Sequence, residues 1–294
     1  MSVYLRLLRV KQWSKNLLVF AALIFSFDPT HLDRFVLTFE AFFAMCFACS
    51  ATYIYNDIRD AAKDRNHPKK RSRPIAAGLV TVPQARSVAA VCLAVGLGLG
   101  WLTGLTGFVI VVTYLAVQVA YNLGLKAQPV ADVYTIASGF ILRAMLGAAA
   151  IHVPISAWLL YCTGALSLML GFGKRRHEFL LLGDDAGASR DSLVHYTAGA
   201  LDALVIMFAC AAAICYGIYT IESATAAKYP TLIITAPFVF YGITRYVLVV
   251  FAGEEGGEPE EMLFRDKHIL ASILLFLTSA ALVLSGLRLN LLER

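Results

Sequence analysis

The side chains best suited to chemistry are Asn56, Asp57, Asp60 and Asp64. They lie in Tyr55-Asn56-Asp57-Ile58-Arg59-Asp60-Ala61-Ala62-Lys63-Asp64, directly after the apolar run 42–54. On a helix, steps of three and four residues return to one face. Asp57, Asp60 and Asp64 therefore project together, with Asn56 on the flank of the same patch. Three carboxylates on one face repel one another unless cations gather there. A hard-oxygen cluster of this kind suits Mg²⁺, which is often shared with substrate phosphates. Placed at the end of an apolar span, the cluster predicts a phosphorylated substrate handled at a membrane surface.

The elements that must position these carboxylates follow from composition and hydropathy. The 294-residue chain is 59% hydrophobic and 15% charged, whereas soluble domains carry about 25% charged residues. Nine apolar segments can be read, near 14–28, 36–56, 83–102, 106–122, 131–151, 155–173, 198–220, 230–251 and 268–287. Spans need ~20 residues each, so the expected fold is all-α: a polytopic membrane protein of about nine transmembrane helices, in a single integral domain over 1–294. The basic residues before 14–28 resemble a signal peptide's charged start, but Ser26-Phe27-Asp28-Pro29 is a poor cleavage site, so this span is expected to be retained. With the N-terminus in the cytoplasm, that side receives Arg6, Arg9, Lys11, Lys15, the basic residues of 59–73 and 174–190, Lys126, Arg265 and Lys267. The other side receives only Arg34, Lys228, Arg288 and Arg294. This asymmetry predicts the cytoplasmic membrane, with the N-terminus and the acidic cluster facing the cytoplasm. The six cysteines all fall in apolar stretches and are expected as small buried hydrophobes, Cys46-x-x-Cys49 included.

Further polar groups fall on the same predicted face. The run Lys69-Lys70-Arg71-Ser72-Arg73 reads either as a headgroup anchor or as a phosphate grip, and Arg73 is the member nearest the acidic motif in purpose. Gly171-Phe172-Gly173-Lys174-Arg175-Arg176-His177-Glu178 follows a span and could cradle phosphate. Glu178 could orient a cation, or pair with Lys174 along a helix. Tyr121, with Lys126 and Asp132 beyond it, could steady a developing positive charge or sit at the bilayer interface. Arg143 lies within a span, where an arginine is costly and requires a partner; Asp132 is three turns away, so the partner is expected on another helix or on a substrate phosphate. Lys11-Gln12-Trp13-Ser14-Lys15-Asn16 offers Trp13 to the interface and Lys15 to the cytoplasm. The acidic stretch 254–261 reads as a solvated loop or a lid.

Nine spans with N-D-x-x-D-x-x-x-D after the second resemble the UbiA superfamily of intramembrane prenyltransferases, over nearly the whole chain. Typical members move a prenyl group from a prenyl diphosphate to an aromatic acceptor and use a second Asp-rich motif after the sixth span. Here Gly173-Lys174-Arg175-Arg176-His177-Glu178 stands in that place. With Lys11-Gln12-Trp13-Ser14-Lys15-Asn16, His67-Pro68-x-Lys70-x-x-Arg73-Pro74-Ile75 and Gly139-Phe140-Ile141-Leu142-Arg143, the chain is similar to the decaprenyl-phosphate phosphoribosyltransferase branch. That resemblance implies 5-phosphoribosyl 1-diphosphate as donor, a polyprenyl phosphate as acceptor, Mg²⁺ as cofactor and a place in cell-wall arabinan synthesis. It implies Asp57, Asp60 and Asp64, helped by Asn56, as the metal and diphosphate residues. Lys15, Arg73, Tyr121, Lys126, Arg143, Lys174, Arg175, Arg176 and Glu178 are then the substrate contacts. Three anionic groups at one site call for more cations and fewer carboxylates.

Two rivals stand beside this reading. A prenyltransferase acting on an aromatic acceptor would use prenyl diphosphate instead. A transporter would show inverted repeats and broken midplane helices, and neither is visible. The basic runs are read as meeting phosphate and headgroups rather than nucleic acid. A homo-oligomer is compatible with the sequence.

Overall fold

A computed structural model of the chain describes residues 2–26, 31–65, 70–182, 191–252 and 265–286, and within them each of the nine apolar segments is largely helical. His67 and the acidic stretch 254–261 lie outside the described residues. The α-helices are α1 (Val3–Leu7), α2 (Ala21–Phe25), α3 (Asp33–Arg65), α4 (Val82–Leu102), α5 (Gly104–Leu123), α6 (Ala131–Ala150), α7 (Ala157–Leu182), α8 (Ala198–Glu222), α9 (Ala224–Lys228), α10 (Ala236–Ala252) and α11 (Lys267–Leu284). Among the described residues seven helices are long and apolar enough to cross a membrane: α3, α4, α5, α6, α8, α10 with its leading turn, and α11. The two further expected segments fold differently. The 14–28 segment is an 11-residue 3₁₀ helix, Val10–Phe20, running into the short α2. The 155–173 segment becomes α7, which is 26 residues long but whose last turns are charged. Leu102, Leu105, Val109 and Tyr161 are each more than half exposed, as befits faces solvated by lipid.

The chain forms two compact units. The first holds the N-terminal segment, α3, α4, α5 and the later part of α6. Its helices approach closely where side chains are small. A Cβ on Gly96 of α4 would lie 2.9 Å from Ala48 N of α3, so only glycine permits this crossing. The 3₁₀ helix has three residues per turn, which brings Trp13, Asn16 and Val19 onto one face. That face is used: Trp13 Nε1 donates to Ser50 Oγ (3.1 Å), Asn16 and Val19 are buried, and Val19 lies against Gly147. Thr81 starts α4 with a capping box: Gln84 N donates to Thr81 Oγ1 and Thr81 N to Gln84 Oε1.

The second unit holds the first part of α6 and α7 to α11. Its core stacks Phe172 on Phe208, centroids 5.6 Å apart, beside Tyr196, Leu193 and Leu201. Gly171 and Gly173 do not form a phosphate cradle here. They lie within α7, where a Cβ would come within 2.5 Å of Val133 Cγ1 and 2.3 Å of Tyr246 Oη respectively. The Gly-x-Gly pattern is thus a packing device for two neighbouring helices rather than a phosphate loop.

Candidate active site

In the first unit, α3 sets the geometry. Thirty-three residues at 1.5 Å each make about 50 Å, well beyond a ~30 Å hydrocarbon core. The last three turns, with the acidic residues, therefore reach the bilayer surface. Asp57 and Asp64 are both only 3% exposed, while Asn56 and Asp60 are half-buried. Burial comes from two segments folded onto the helix. The turn 70–80 is closed by Arg73 N to Lys70 O (2.9 Å), Ala77 N to Arg73 O (2.8 Å) and Leu79 N to Pro74 O (2.9 Å), with Gly78 supplying the positive φ of 72°. Ile75 and Val80 of this turn pack with Leu7, Ile54 and Ala85.

Arg73 is thereby aimed at both carboxylates. Its Nη1 donates to Asp64 Oδ2 at 2.6 Å and to Asp57 Oδ1 at 3.1 Å. Arg9 Nη2 donates to the same Asp57 Oδ1, and its guanidinium lies 5.0 Å from the Tyr53 ring centroid. Arg6 reaches back from α1 to Ser72 O, tying the N-terminus to the turn. The result is an alternating Arg9–Asp57–Arg73–Asp64 array.

This array tests the metal reading. Two buried carboxylates converging on one cationic nitrogen are a donor set that fits a hard cation. Among the described residues, no group of three or more His, Cys, Asp or Glu is gathered tightly enough for a metal. The expected three-carboxylate site is, as folded, a pair neutralised by arginine, with Asp60 and Asn56 beside it. Mg²⁺ fits this donor set by chemistry: Asp57 and Asp64, with Asp60 and Asn56 beside them, would hold it.

Arg143 meets partners from other elements, as its cost in a span requires. It is buried, and its Nε donates to Asn16 Oδ1 at 2.7 Å. Nη2 lies 3.1 Å from Cys49 Sγ, and the guanidinium is 5.1 Å from the Tyr114 ring centroid. Cys49 Sγ in turn donates to Tyr114 Oη at 3.0 Å, and Asn16 Nδ2 donates to Cys46 Sγ at 3.1 Å. The C-x-x-C pair is buried as expected but also serves as a hydrogen-bonding partner. Cys210, also expected to be buried, is exposed on α8, which leaves its thiol on a face that lipid covers. Lys15 lies half-buried on the 3₁₀ helix and Tyr121 half-buried near the end of α5.

The second unit carries the remaining candidates. Because α7 continues to Leu182, Lys174, Arg175 and Arg176 are helical and spread by ~100° each instead of forming one cradle. Arg175 points inward at 2% exposure. Its Nε donates to Asp132 Oδ2 at 2.8 Å and its Nη1 to Glu178 Oε2 at 2.5 Å, while Ser192 Oγ donates to Asp132 Oδ2 at 3.4 Å. Arg176 Nε donates to Asp202 Oδ1 and its Nη1 to Val250 O at 2.7 Å; the guanidinium lies 4.6 Å from the Phe251 ring centroid. Glu178 pairs with Arg175, at i−3. Lys126 is half-buried in the 3₁₀ turn Leu125–Ala127, and Lys174 is half-buried on α7. Between Lys126 and Asp132, Val130 takes φ +66°, a strained value for a β-branched residue, and its N–H donates to Tyr196 Oη.

Outside the membrane, Asp266 caps α11. It accepts from Ile269 N (2.9 Å) and His268 N (3.0 Å) and takes three bonds from Arg245 (2.8, 3.1 and 3.3 Å). The Arg245 hydrogen bonds, with help from the two backbone amides, hold its carboxyl below the ordinary value.

Sequence reasoning missed Arg9 and Asp202. Arg9 was indistinguishable from its basic neighbours. Its one special feature, a left-handed φ of +52° that turns it onto Asp57, is not written in residue type.

The UbiA prenyltransferase family profile matches residues 17–265. The decaprenyl-phosphate phosphoribosyltransferase of Mycolicibacterium smegmatis is 34% identical, covering 90% of this chain and 86% of that one. Its namesake from Corynebacterium glutamicum is 37% identical over 90% and 81%. A UbiA homolog from Archaeoglobus fulgidus, solved with DMAPP and Mg²⁺, superposes with a TM-score of 0.74 at 19% identity, covering 97% of this chain and all of that one. The last likeness speaks for the fold alone. With a helical fold of membrane spans, a buried acidic pair at the end of one of them and the family profile across most of its length, the chain belongs to the UbiA prenyltransferase family.

Proposed function

We propose that the chain transfers 5-phosphoribose from 5-phosphoribosyl 1-diphosphate to a polyprenyl phosphate and releases diphosphate, with Mg²⁺ as cofactor. The observation that carries this is the 34–37% identity, over about nine-tenths of the chain, to decaprenyl-phosphate phosphoribosyltransferases. The residue chemistry supports it: the place of a second acidic motif is held by the helical turn of Lys174, Arg175 and Arg176. An oxygen of the lipid phosphate attacks ribose C1, and the C1–O bond to diphosphate breaks with its electron pair leaving on diphosphate. The nucleophile is already anionic at neutral pH, so positioning and charge stabilisation suffice and no strong general base is required. Displacement is in line, with inversion at C1.

Asp57 and Asp64, with Asp60 and Asn56 alongside, are the residues that would hold Mg²⁺. The bound ion supplies neutralisation of the leaving diphosphate. Arg73 would exchange its carboxylates for phosphate oxygens when the donor enters. Lys15 and Tyr121 in the first unit are further donor contacts, Tyr121 steadying positive charge near C1. Lys126 and Lys174 are proposed as phosphate contacts for their charge alone. Arg175, Arg176 and Arg143 are already engaged by protein groups, so their contribution to substrate is through the shape they maintain. The distribution of lysine and arginine supports a cytoplasmic N-terminus and acidic site.

A second reading is kept because solved relatives by fold include UbiA homologs bound to DMAPP or GPP with Mg²⁺: prenyl transfer to an aromatic acceptor. Diphosphate release separates the two. Release from phosphoribosyl diphosphate that requires both polyprenyl phosphate and Mg²⁺, and that falls at least about a hundredfold in Asp60→Asn, supports the first reading. Undiminished turnover in Asp60→Asn removes the metal role.

A further inference from the structure

On the face of α3 turned away from its carboxylates, the first unit carries an apolar cleft of about 450 Å³ between α3, α4 and α5. Its walls include Thr52 and Tyr55 of α3, Leu93 of α4, and Leu115, Val119 and Asn122 of α5. At ~100° per residue, Thr52, Tyr55 and Arg59 sit roughly 140–160° around α3 from Asp57. The cleft therefore lies on the other side of α3 from Asp57 and Asp64.

One end of the cleft is polar. Asn122 is buried, and its Nδ2 donates to Gln118 O at 3.0 Å, but its Oδ1 has no hydrogen-bond partner among the described residues. A buried acceptor left this way calls for a donor. Arg59 lies at the same end. Its Nη1 donates to Asn122 O at 2.8 Å and its guanidinium is 5.9 Å from the Tyr55 ring centroid, leaving most of its donors outward. Arg86 is exposed on α4, one turn before the lining residues Ala89 and Ala90 on the same face. Among the described residues neither arginine meets a carboxylate.

We propose that this cleft is a binding site for a phosphatidylglycerol-type lipid. One acyl chain lies along the apolar walls, the phosphate meets Arg59 and Arg86, and a headgroup hydroxyl donates to Asn122 Oδ1. Each part of the site selects one part of the ligand. The walls need a chain and the two cations need an anion. The orphaned acceptor needs a donor, which phosphatidylcholine lacks.

The test uses the full chain in nanodiscs of mixed lipid and reads retained lipid by native mass spectrometry. With two cations near the surface, one phosphatidylglycerol should be retained about thirtyfold over phosphatidylcholine at equal mole fraction. Arg86→Gln, at an exposed position, should reduce that preference about fivefold, and Leu93→Trp, which intrudes on the cleft, should weaken retention. Asn122→Leu should erase any preference for phosphatidylglycerol over phosphatidic acid while keeping the preference for anionic lipid. Equal retention of phosphatidylglycerol and phosphatidylcholine would overturn the proposal. So would retention unchanged by Arg86→Gln and Leu93→Trp, displacement by equimolar polyprenyl phosphate, or cross-linking of Leu93→Cys copies showing a second chain over the cleft.

Discussion

Arg73→Ala isolates the device on which the acidic site rests. In the folded chain one nitrogen, Arg73 Nη1, bridges Asp64 Oδ2 at 2.6 Å and Asp57 Oδ1 at 3.1 Å. Both carboxylates are 3% exposed by residue, whereas the Arg73 side chain is 24% exposed. Removing the guanidinium leaves Asp57 with Arg9 but strips Asp64 of the cation that meets it among the described residues. Breaking a buried pair costs about 3–5 kcal/mol, and the partial exposure of Arg73 places this case near the low end, about 3 kcal/mol. The loss should appear in thermal unfolding in chelator. Mg²⁺ should then rescue the variant more than it stabilises wild type, because the ion no longer competes with Arg73; at a hundred times its Kd it returns about 2.7 kcal/mol. Asp64→Asn added to Arg73→Ala should recover about 1–2 kcal/mol in chelator by removing the stranded charge. Wild-type stability of Arg73→Ala in chelator, or an equal response of both proteins to Mg²⁺, would refute the reasoning.

Three further outcomes are expected. Gly173→Ala forces a Cβ to 2.3 Å from Tyr246 Oη and should cost about 1–3 kcal/mol by overpacking; Gly98→Ala, with open space around it, should be neutral or stabilising by about 0.5–1 kcal/mol. Identical melting shifts would contradict the packing role. Arg175→Met leaves Asp132 buried with its charge and should cost about 3–5 kcal/mol, most of it regained in Arg175→Met with Asp132→Leu; an additive double variant would argue against the pair. Asp266 has its folded-state carboxyl held down, so it contributes stability that is complete above the ordinary carboxylate range and is lost as pH falls through the lowered folded value. Asp266→Asn should flatten the melting temperature against pH below about pH 4, and an unchanged profile would remove the linkage.

How much of this was legible in the sequence depends on the range of the interaction. Asp57 and Asp64 share a partner because seven residues is two turns of helix, and that periodicity is written in the chain. The spans were legible for the same reason, since hydropathy is local. Long-range pairing was not. Arg175 meets Asp132 forty-three positions away, and Arg9 meets Asp57 at forty-eight. Nothing in residue type distinguishes these arginines from the positive-inside background. Gly171-Phe172-Gly173 reads as part of a phosphate cradle because it precedes three cations, yet in a membrane glycine permits helices to touch. The 3₁₀ register of Val10–Phe20 was hidden for a related reason: its period of three becomes visible only once Trp13, Asn16 and Val19 are seen against the rest of the first unit. Arg143 was flagged by its cost, but its hub of Asn16, Cys49 and Tyr114 could not be chosen from sequence.

The central claim is tested most directly by following label into lipid. The purified chain, given polyprenyl phosphate and Mg²⁺, is offered ribose-labelled 5-phosphoribosyl 1-diphosphate in one arm. In the other it receives labelled prenyl diphosphate with an aromatic acceptor. The account predicts that ribose label appears in a phosphoribosylated lipid, only with Mg²⁺ and only with the lipid phosphate, while the prenyl label stays on its diphosphate. Prenylated aromatic product with no ribose label in lipid would contradict it.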